Sequence, residues 1–209
     1  MRYEDKKTGM AAWPTSIIAM LDTMKAYFPL KPETQASLAT LAKPTNLAKG
    51  EYFLKSGDTP TSLAFVYSGL LRAFTTDVEG REYNKIFFAE GSFPAAMVAL
   101  LTGEPSRFAI ECLEDCQLLE INHAAYRQLL HESDDLKLFH IRYLEQNWII
   151  EKERREVELV QADATDRYLA FLQRHPGLQE RLPQYHIASH LGITPTQLSR
   201  IRKQILETA

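Results

Sequence analysis

PQYHIASHLGITPTQLSRIRKQIL, residues 183–206, is the stretch on which the reading of this chain turns. Its first half places Ile187, Ala188 and Leu191 at the spacing of one short helical face. Gly192 then supplies a tight turn, Thr194 has the side chain of an N-cap, and Pro195 stands at the first helical position, where a missing N–H removes no hydrogen bond. Two short helices joined through a glycine turn are the signature of a helix-turn-helix. On the second helix Leu198, Ile201 and Ile205 share one face, while Thr196, Arg200, Lys203 and Glu207 share the opposite one. That outer face offers a guanidinium and short polar groups to base edges, with Arg202 and Lys203 available to phosphates. Taken alone, the pattern also suits an ordinary helical hairpin, so the surrounding sequence has to decide.

The charge distribution is the first such neighbour. The whole chain of 209 residues carries 24 Lys and Arg against 27 Asp and Glu, a net charge of -3 that taken as a sum disfavours an anionic partner. From residue 165 onward, however, six basic residues (Arg167, Arg174, Arg181, Arg200, Arg202, Lys203) face three acids (Asp166, Glu180, Glu207), a balance of +3. The body before it therefore carries -6. An acidic body with a basic end is the asymmetry expected when only that end meets nucleic acid.

Immediately upstream, Asp163 reads as the N-cap of a new helix through Tyr168, Leu169, Phe171 and Leu172, closed by His175-Pro176-Gly177. The break at 161–163 is the expected domain boundary. Before it, residues 133–160 contain neither Gly nor Pro and predict one long helix. Leu136, Tyr143, Ile150 and Val157 recur in it every seven residues, with Phe139 and Val160 three after the first and the last. Gln146 and Glu153 interrupt this seam with polar side chains. A second face bears Ile141, Leu144, Trp148 and Ile149. The spacing fits either a helix lying on its own body or a dimer helix, and two apolar faces favour the dimer. The expected seam is Leu136, Phe139, Tyr143, Ile150 and Val157.

Further out, residues 47–121 have a different texture. Turn residues recur about every ten positions (Lys49-Gly50, Ser56-Gly57-Asp58, Ser68-Gly69, Glu79-Gly80, Glu90-Gly91, Glu114-Asp115), with β-rich runs at 63–67, 70–75, 83–88 and 108–112 between them. Such spacing predicts an antiparallel barrel or roll, in which Arg72 and Glu82 are candidates for a structural pair. Asn122 reads as an N-cap for a helix over 123–131, and short helices are expected at 17–28 and 33–42. Residues 1–15 have no periodicity and read as a flexible lead.

Several function classes fall away. The six histidines (His123, His131, His140, His175, His186, His190) all lie outside the strand segment, so an imidazole metal site in the roll is excluded. Cys112 and Cys116 are too few for a four-thiolate cluster, and no cofactor is expected. No Gly-flanked nucleophilic Ser and no Gly-Lys-Ser phosphate loop is present, so the chain does not read as an enzyme. No run approaches the roughly 18 apolar residues of a membrane helix, and the charged start MRYEDKKTGM is no signal peptide, which points to a cytoplasmic protein.

Taken together, Gly50-Glu51, Ser56-Gly57-Asp58, Val66-Tyr67-Ser68-Gly69-Leu70, Gly80-Arg81-Glu82, Gly91-Ser92-Phe93, the long helix, and Ile187 to Pro195 with Leu198-Ser199-Arg200-Ile201-Arg202 resemble the Crp/Fnr family of bacterial transcription regulators. The resemblance runs from about Ile17 to the end and is most specific in the helix-turn-helix. It implies an α+β fold with three parts: an antiparallel β-roll of the cyclic-nucleotide-binding type with its leading helices over 1–130, a dimerisation helix over 131–160, and a helix-turn-helix domain over 161–209. It also implies a homodimer on a palindromic duplex, with RNA polymerase as a further candidate partner. The corresponding DNA-facing residues are Thr194, Pro195, Thr196, Gln197, Ser199, Arg200, Arg202 and Lys203, with Arg200 at the family's base-contacting arginine and Pro195 where many members carry a polar residue. With Ala209 three residues after Leu206, the β-hairpin wing of many members is expected to be short or absent.

The effector pocket departs from the family. Nucleotide-binding members carry Gly-Glu after the glycine matched by Gly91, and later Arg-Ser or Arg-Thr. Here Ala95 and Ala96 supply no carboxylate, Arg107 is followed by Phe108, and the helix positions that meet the purine carry Lys152 and Glu153. Losing several polar contacts at about 1 to 3 kcal/mol each removes most affinity for cyclic AMP. The expectation is a ligand-free pocket or an unknown effector. The alternative function is a nucleotide or small-molecule sensor that acts through protein contacts rather than DNA.

Overall fold

The computed structural model describes residues 13–208, which form two compact units. Most of the lead expected over 1–15 lies outside the described residues, and residues 13–15 already belong to the first helix. Among the described residues, the first unit comprises 13–73 and 87–144, and the second comprises 74–86 and 145–208.

Two helices open the first unit, α1 (Trp13–Tyr27) and α2 (Pro32–Leu41). Seven strands follow: β1 (Ala42–Leu47), β2 (Tyr52–Leu54), β3 (Ser62–Ser68), β4 (Leu71–Thr76), β5 (Glu82–Phe88), β6 (Ala109–Cys112) and β7 (Cys116–Asn122). A short helix α3 (Met97–Thr102) lies between β5 and β6, and α4 (His123–Glu132) and α5 (Asp134–Leu144) come after β7. The strands form two sheets, in the orders β1-β7-β3 and β2-β6-β4-β5. Both β1 and β3 pair antiparallel with β7, with Ala42 opposite Ile121 and Ser62 opposite Asn122.

Side-chain alternation on β3 explains how one strand serves two cores. Leu63 and Phe65 join Met20 and Met24 of α1, Leu38 of α2, Leu119 and Ile121 of β7, and Leu136 and Phe139 of α5 in one buried cluster. Ala64 and Val66 point the other way, into a second cluster with Leu71 and Ala73 of β4, Ile110 of β6 and Leu118 of β7. Both faces of β3 are therefore dry, which is why residues 63–67 read as a continuous apolar run rather than an alternating one. The turn from β3 to β4 requires glycine. Gly69 has φ +104°, and a Cβ there would sit 2.6 Å from the Asp115 carbonyl oxygen and 2.7 Å from Cys116 Sγ. Two side-chain caps hold the helices of this unit. Asn122 Oδ1 accepts from the Ala125 amide at 3.0 Å, as its position before α4 predicts. Buried Asp135 caps α2 from afar, accepting from the Lys31 amide at 2.7 Å and from Thr34 Oγ1 at 3.0 Å.

The second unit begins with a π-helical segment, Glu145–Ile150, and continues as α6 (Glu151–Gln161), α7 (Ala164–Arg174), α8 (Leu178–Arg181), α9 (Gln184–Leu191) and α10 (Pro195–Thr208). Tyr168, Phe171, Leu178, Leu182, Ile187, Leu191, Leu198 and Ile201 are among its buried apolar residues. Asp163 caps α7 as expected, accepting from the Thr165 and Asp166 amides at 2.8 and 2.9 Å. The Arg174 guanidinium ties α7 back to Glu158 of α6 at 2.6 Å.

The fold bears on three sequence expectations. The compact units divide at Leu144/Glu145, where the long helix changes its winding, rather than at 130 or at 161–163, and the tip of the β4–β5 hairpin groups with the C-terminal helices. The seam also changes. Leu136 and Phe139 are fully buried in their own unit's core, and the Tyr143 ring packs edge-on against Tyr27 and Phe93 at 5.3 and 5.4 Å. A heptad count marks a stripe without saying what covers it, and the π turn adds a residue that throws a count begun at Leu136 out of phase. Ile150 and Val157 are exposed. Among the described side chains, the other outward apolar residues of this helix are Leu138 and Ile141 in α5, and Ile149 and Val160 in the second unit. Finally, Arg72 pairs with Glu111: Nη2 and Nε lie 2.6 and 2.8 Å from Glu111 Oε2, across neighbouring strands β4 and β6.

Candidate nucleic-acid interface

The reader is built from α9, a turn and α10. Gly192 ends α9 in the left-handed conformation, with φ 69° and ψ 33°, and its amide closes the helix onto the Ala188 and Ser189 carbonyls. Two residues later Thr194 and Gln197 form a reciprocal box. The Gln197 amide donates to Thr194 Oγ1 at 3.2 Å, and the Thr194 amide and hydroxyl donate to Gln197 Oε1 at 2.9 and 3.1 Å. Gln197 thus has a capping role that was not foreseen, and its carbonyl oxygen is engaged at the start of α10.

Leu198 and Ile201 anchor α10 inward at 0% and 8% exposure. Thr194, Pro195, Thr196, Gln197, Ser199, Arg200 and Lys203 are exposed, and Arg202 is half-buried along the flank of the helix. Lys203 Nζ lies 3.7 Å from Glu207 one turn on, and both side chains are more than half exposed. An exposed ion pair at that separation contributes well under about 1 kcal/mol, so it leaves the ammonium open to exchange for a phosphate. The +3 balance of this end is sharpened by what two other arginines do. Arg167 donates from Nη1 to the Ala162 carbonyl at 2.7 Å and from Nε to the Leu191 carbonyl at 3.3 Å, bracing the end of α9. Arg174 is held by Glu158. Neither is on the outer face of α10. The exposed positive charge there comes from Arg200 and Lys203, with Arg202 at the edge.

Sequence reasoning missed a set of residues 102 to 107 positions upstream of α9. Fully buried Asn84 on β5 donates from Nδ2 to the His186 carbonyl and to His186 Nδ1, both at 3.1 Å. The Asn84 amide donates to Ser189 Oγ at 3.0 Å, and Ser189 Oγ donates to the Glu82 carbonyl at 2.8 Å. The Asn84 carbonyl lies 3.1 Å from His190 Nδ1. The Asn84 carbonyl calls for a proton on His190 Nδ1, which in the neutral ring is the Nδ1–H tautomer. His190 is half-buried at the surface, and desolvation, with the Arg155 charge adding to it, pushes its pKa down to about 3. No local motif announces such a contact, because neither partner is near the other in sequence.

Of the residues assigned to an effector pocket, four lie in the first unit and two in the second. Ala95 and Ala96 are buried, the first in the helix-facing cluster and the second in the cluster between the sheets. Phe108 packs on that second cluster, while Arg107 is exposed. The hydroxyl beside it, Ser106 Oγ, is turned to the Phe108 carbonyl at 2.7 Å. Lys152 and Glu153 are exposed on α6, in the other unit. Among the described residues no group of three or more His, Cys, Asp and Glu could hold a metal ion, and no helix is long and apolar enough to cross a membrane.

Comparison with known proteins agrees with this architecture. The profile of the cyclic nucleotide-binding domain matches residues 44–133, the strands and α4. FixK2 from Bradyrhizobium japonicum superposes with a TM-score of 0.68 at 17% identity, over 80% of this chain and 85% of that one. A transcriptional regulator of the Crp/Fnr family from Eubacterium rectale superposes with a TM-score of 0.59 at 21% identity, over 87% and 88% of the two chains. The fold is that of the Crp/Fnr regulators. Among curated proteins, patatin-like phospholipase domain-containing protein 7 of Rattus norvegicus is 29% identical over 89 residues, which is 43% of this chain. The chain spans only 7% of the length of that relative, so the likeness concerns a part of each protein.

Proposed function

We propose that the chain is a cytoplasmic, homodimeric transcription regulator that reads a two-fold symmetric DNA site through α10. The carrying observation is the outer face of that helix: Thr196, Ser199, Arg200 and Lys203 stand exposed on a helix anchored by Leu198 and Ile201 and started by the Thr194–Gln197 box. A capped, inwardly anchored helix holds its outer side chains in fixed directions, which direct readout of base edges in a major groove requires. The exposed apolar residues of the preceding helix, Ile149, Ile150, Val157 and Val160, support pairing with a second copy. The test is a binding titration with a labelled duplex and the Arg200→Ala variant. If Arg200 reads guanine, the variant loses about 1 to 3 kcal/mol and relaxes its preference at one base pair; unchanged binding refutes that role.

The buried Ala95 and Ala96, without a carboxylate, and the exposed Arg107 with its neighbouring hydroxyl already engaged support a roll that does not hold cyclic AMP tightly. Calorimetry is expected to show no dissociation constant at or below the micromolar range; such a constant would overturn this part of the reading.

A further inference from the structure

We infer that the β4–β5 hairpin is a working part of the reader: Asn84, Ser189 and His190 are positioning residues that fix α9, and with it α10, so that two readers meet two half-sites at once. The inference rests on the DNA-binding reading above and adds to it a component outside the C-terminal helices.

Along β5 the polar backbone groups at Glu82 and Asn84 find their partners on a helix. Ser189 bridges the Glu82 carbonyl and the Asn84 amide, His190 meets the Asn84 carbonyl, and the Asn84 side chain meets His186. A second helix grips the same strand: Arg155 of α6 donates to the Lys85 carbonyl and, at 2.8 Å, to Tyr83 Oη, with its guanidinium 6.0 Å from the Tyr83 ring centre. Asn84 is entirely buried, and His186 is 4% exposed. Pulling α9 off the strand would strand buried polar groups without partners, so the attachment is made or broken as a set rather than loosened by degrees. From α9 the chain reaches α10 within the short turn at 192–194, and Arg167 braces the last turn of α9. A fixed α9 therefore fixes α10. The hairpin engages His186, Ser189 and His190, while the outer face of α10 stays exposed, so the attachment orients the reading face without covering it. The hairpin strands themselves run back to Leu71 and on to Phe88, which belong to the roll.

The experiment uses the full chain and two duplexes: the sequence enriched from a random pool, and the same sequence with one half-site scrambled. Ser189→Ala removes both hydroxyl hydrogen bonds to β5; Ser189→Thr keeps a hydroxyl. If the hairpin sets the orientation of the readers, Ser189→Ala lowers affinity for the complete site by at least about fivefold, the lower end of ordinary coupling between sites. Affinity for the scrambled duplex stays within about twofold, and Ser189→Thr restores the difference. A helix-turn-helix that had merely been damaged would lose both affinities together. Equal losses on the two duplexes, no loss, or a gain overturns the inference. Should Ser189→Ala fail to fold, Tyr83→Ala, at the more exposed contact with Arg155, is expected to lower the same ratio, and an unchanged ratio overturns the inference equally. Should the unaltered protein prefer no duplex, the DNA-binding reading itself falls, a result visible before any variant is made.

Discussion

Replacing His190 with Gln tests whether the contact between β5 and α9 forms as described. The ring nitrogen Nδ1 sits 3.1 Å from the Asn84 carbonyl, and burial, reinforced by the charge of Arg155, holds the folded pKa at about 3 although the Asn84 hydrogen bond works in the opposite direction. The unfolded value is near 6.5. The folded state therefore refuses a proton that the unfolded state accepts, and stability contributed by this residue is present above pH 6.5 and is lost as the pH falls toward 3. The slope in that window is about 1.4 kcal/mol per pH unit, so between about pH 7.5 and pH 5 the native protein loses about 2 kcal/mol on account of His190. Other groups add to the pH dependence, His175 among them, whose pKa burial also lowers. The difference between the native protein and the His190→Gln variant isolates the one residue. Urea unfolding followed by circular dichroism at the two pH values should show the variant destabilised at neutral pH and the gap narrowed by about 2 kcal/mol at the acid one. A gap that stays constant would mean that His190 is open to solvent and that α9 does not lie against β5.

Further outcomes follow from the remaining geometry. Gly69→Ala places a Cβ within 2.7 Å of Cys116 Sγ at a φ of +104°, and a thermal melt should show a loss of at least about 1 to 3 kcal/mol, the range for a strained backbone. Arg72→Ala leaves Glu111 without its guanidinium at a site where the two side chains are 6% and 17% exposed, and chemical denaturation should register about 3 kcal/mol. Asp163→Ala removes the acceptor of two amides at the start of α7 and should cost about 1 kcal/mol by the same measurement.

What was legible in the sequence was local. Asn122, Asp163 and Thr194 each cap the helix that their positions predicted, because a cap is decided by the chain within three residues of it. The runs at 63–67, 70–75, 83–88 and 108–112 became β3 to β6, and in β3 the run is uninterrupted because Leu63 to Val66 are buried on both faces. β1 escaped notice: its AKPTNL is polar and contains Pro44, which an edge strand tolerates, and it pairs only with β7. The outer face of α10 was readable from helical spacing alone. The stripe of Leu136, Phe139 and Tyr143 was visible too, yet periodicity does not distinguish a chain's own core from a partner's surface, and these side chains fill the core. The contacts of Asn84 and the pairing of Arg72 with Glu111 join residues 102 and 39 positions apart, and only the tertiary fold brings them together.

The most direct test of the central claim is selection of bound duplexes from a random pool by the purified full chain. The account predicts enrichment of a two-fold symmetric site with half-sites about one helical turn apart, roughly 34 Å, and loss of specificity at one base pair per half-site in Arg200→Ala. A pool that remains random after repeated rounds, or an Arg200→Ala protein that enriches the same site equally well, would contradict it.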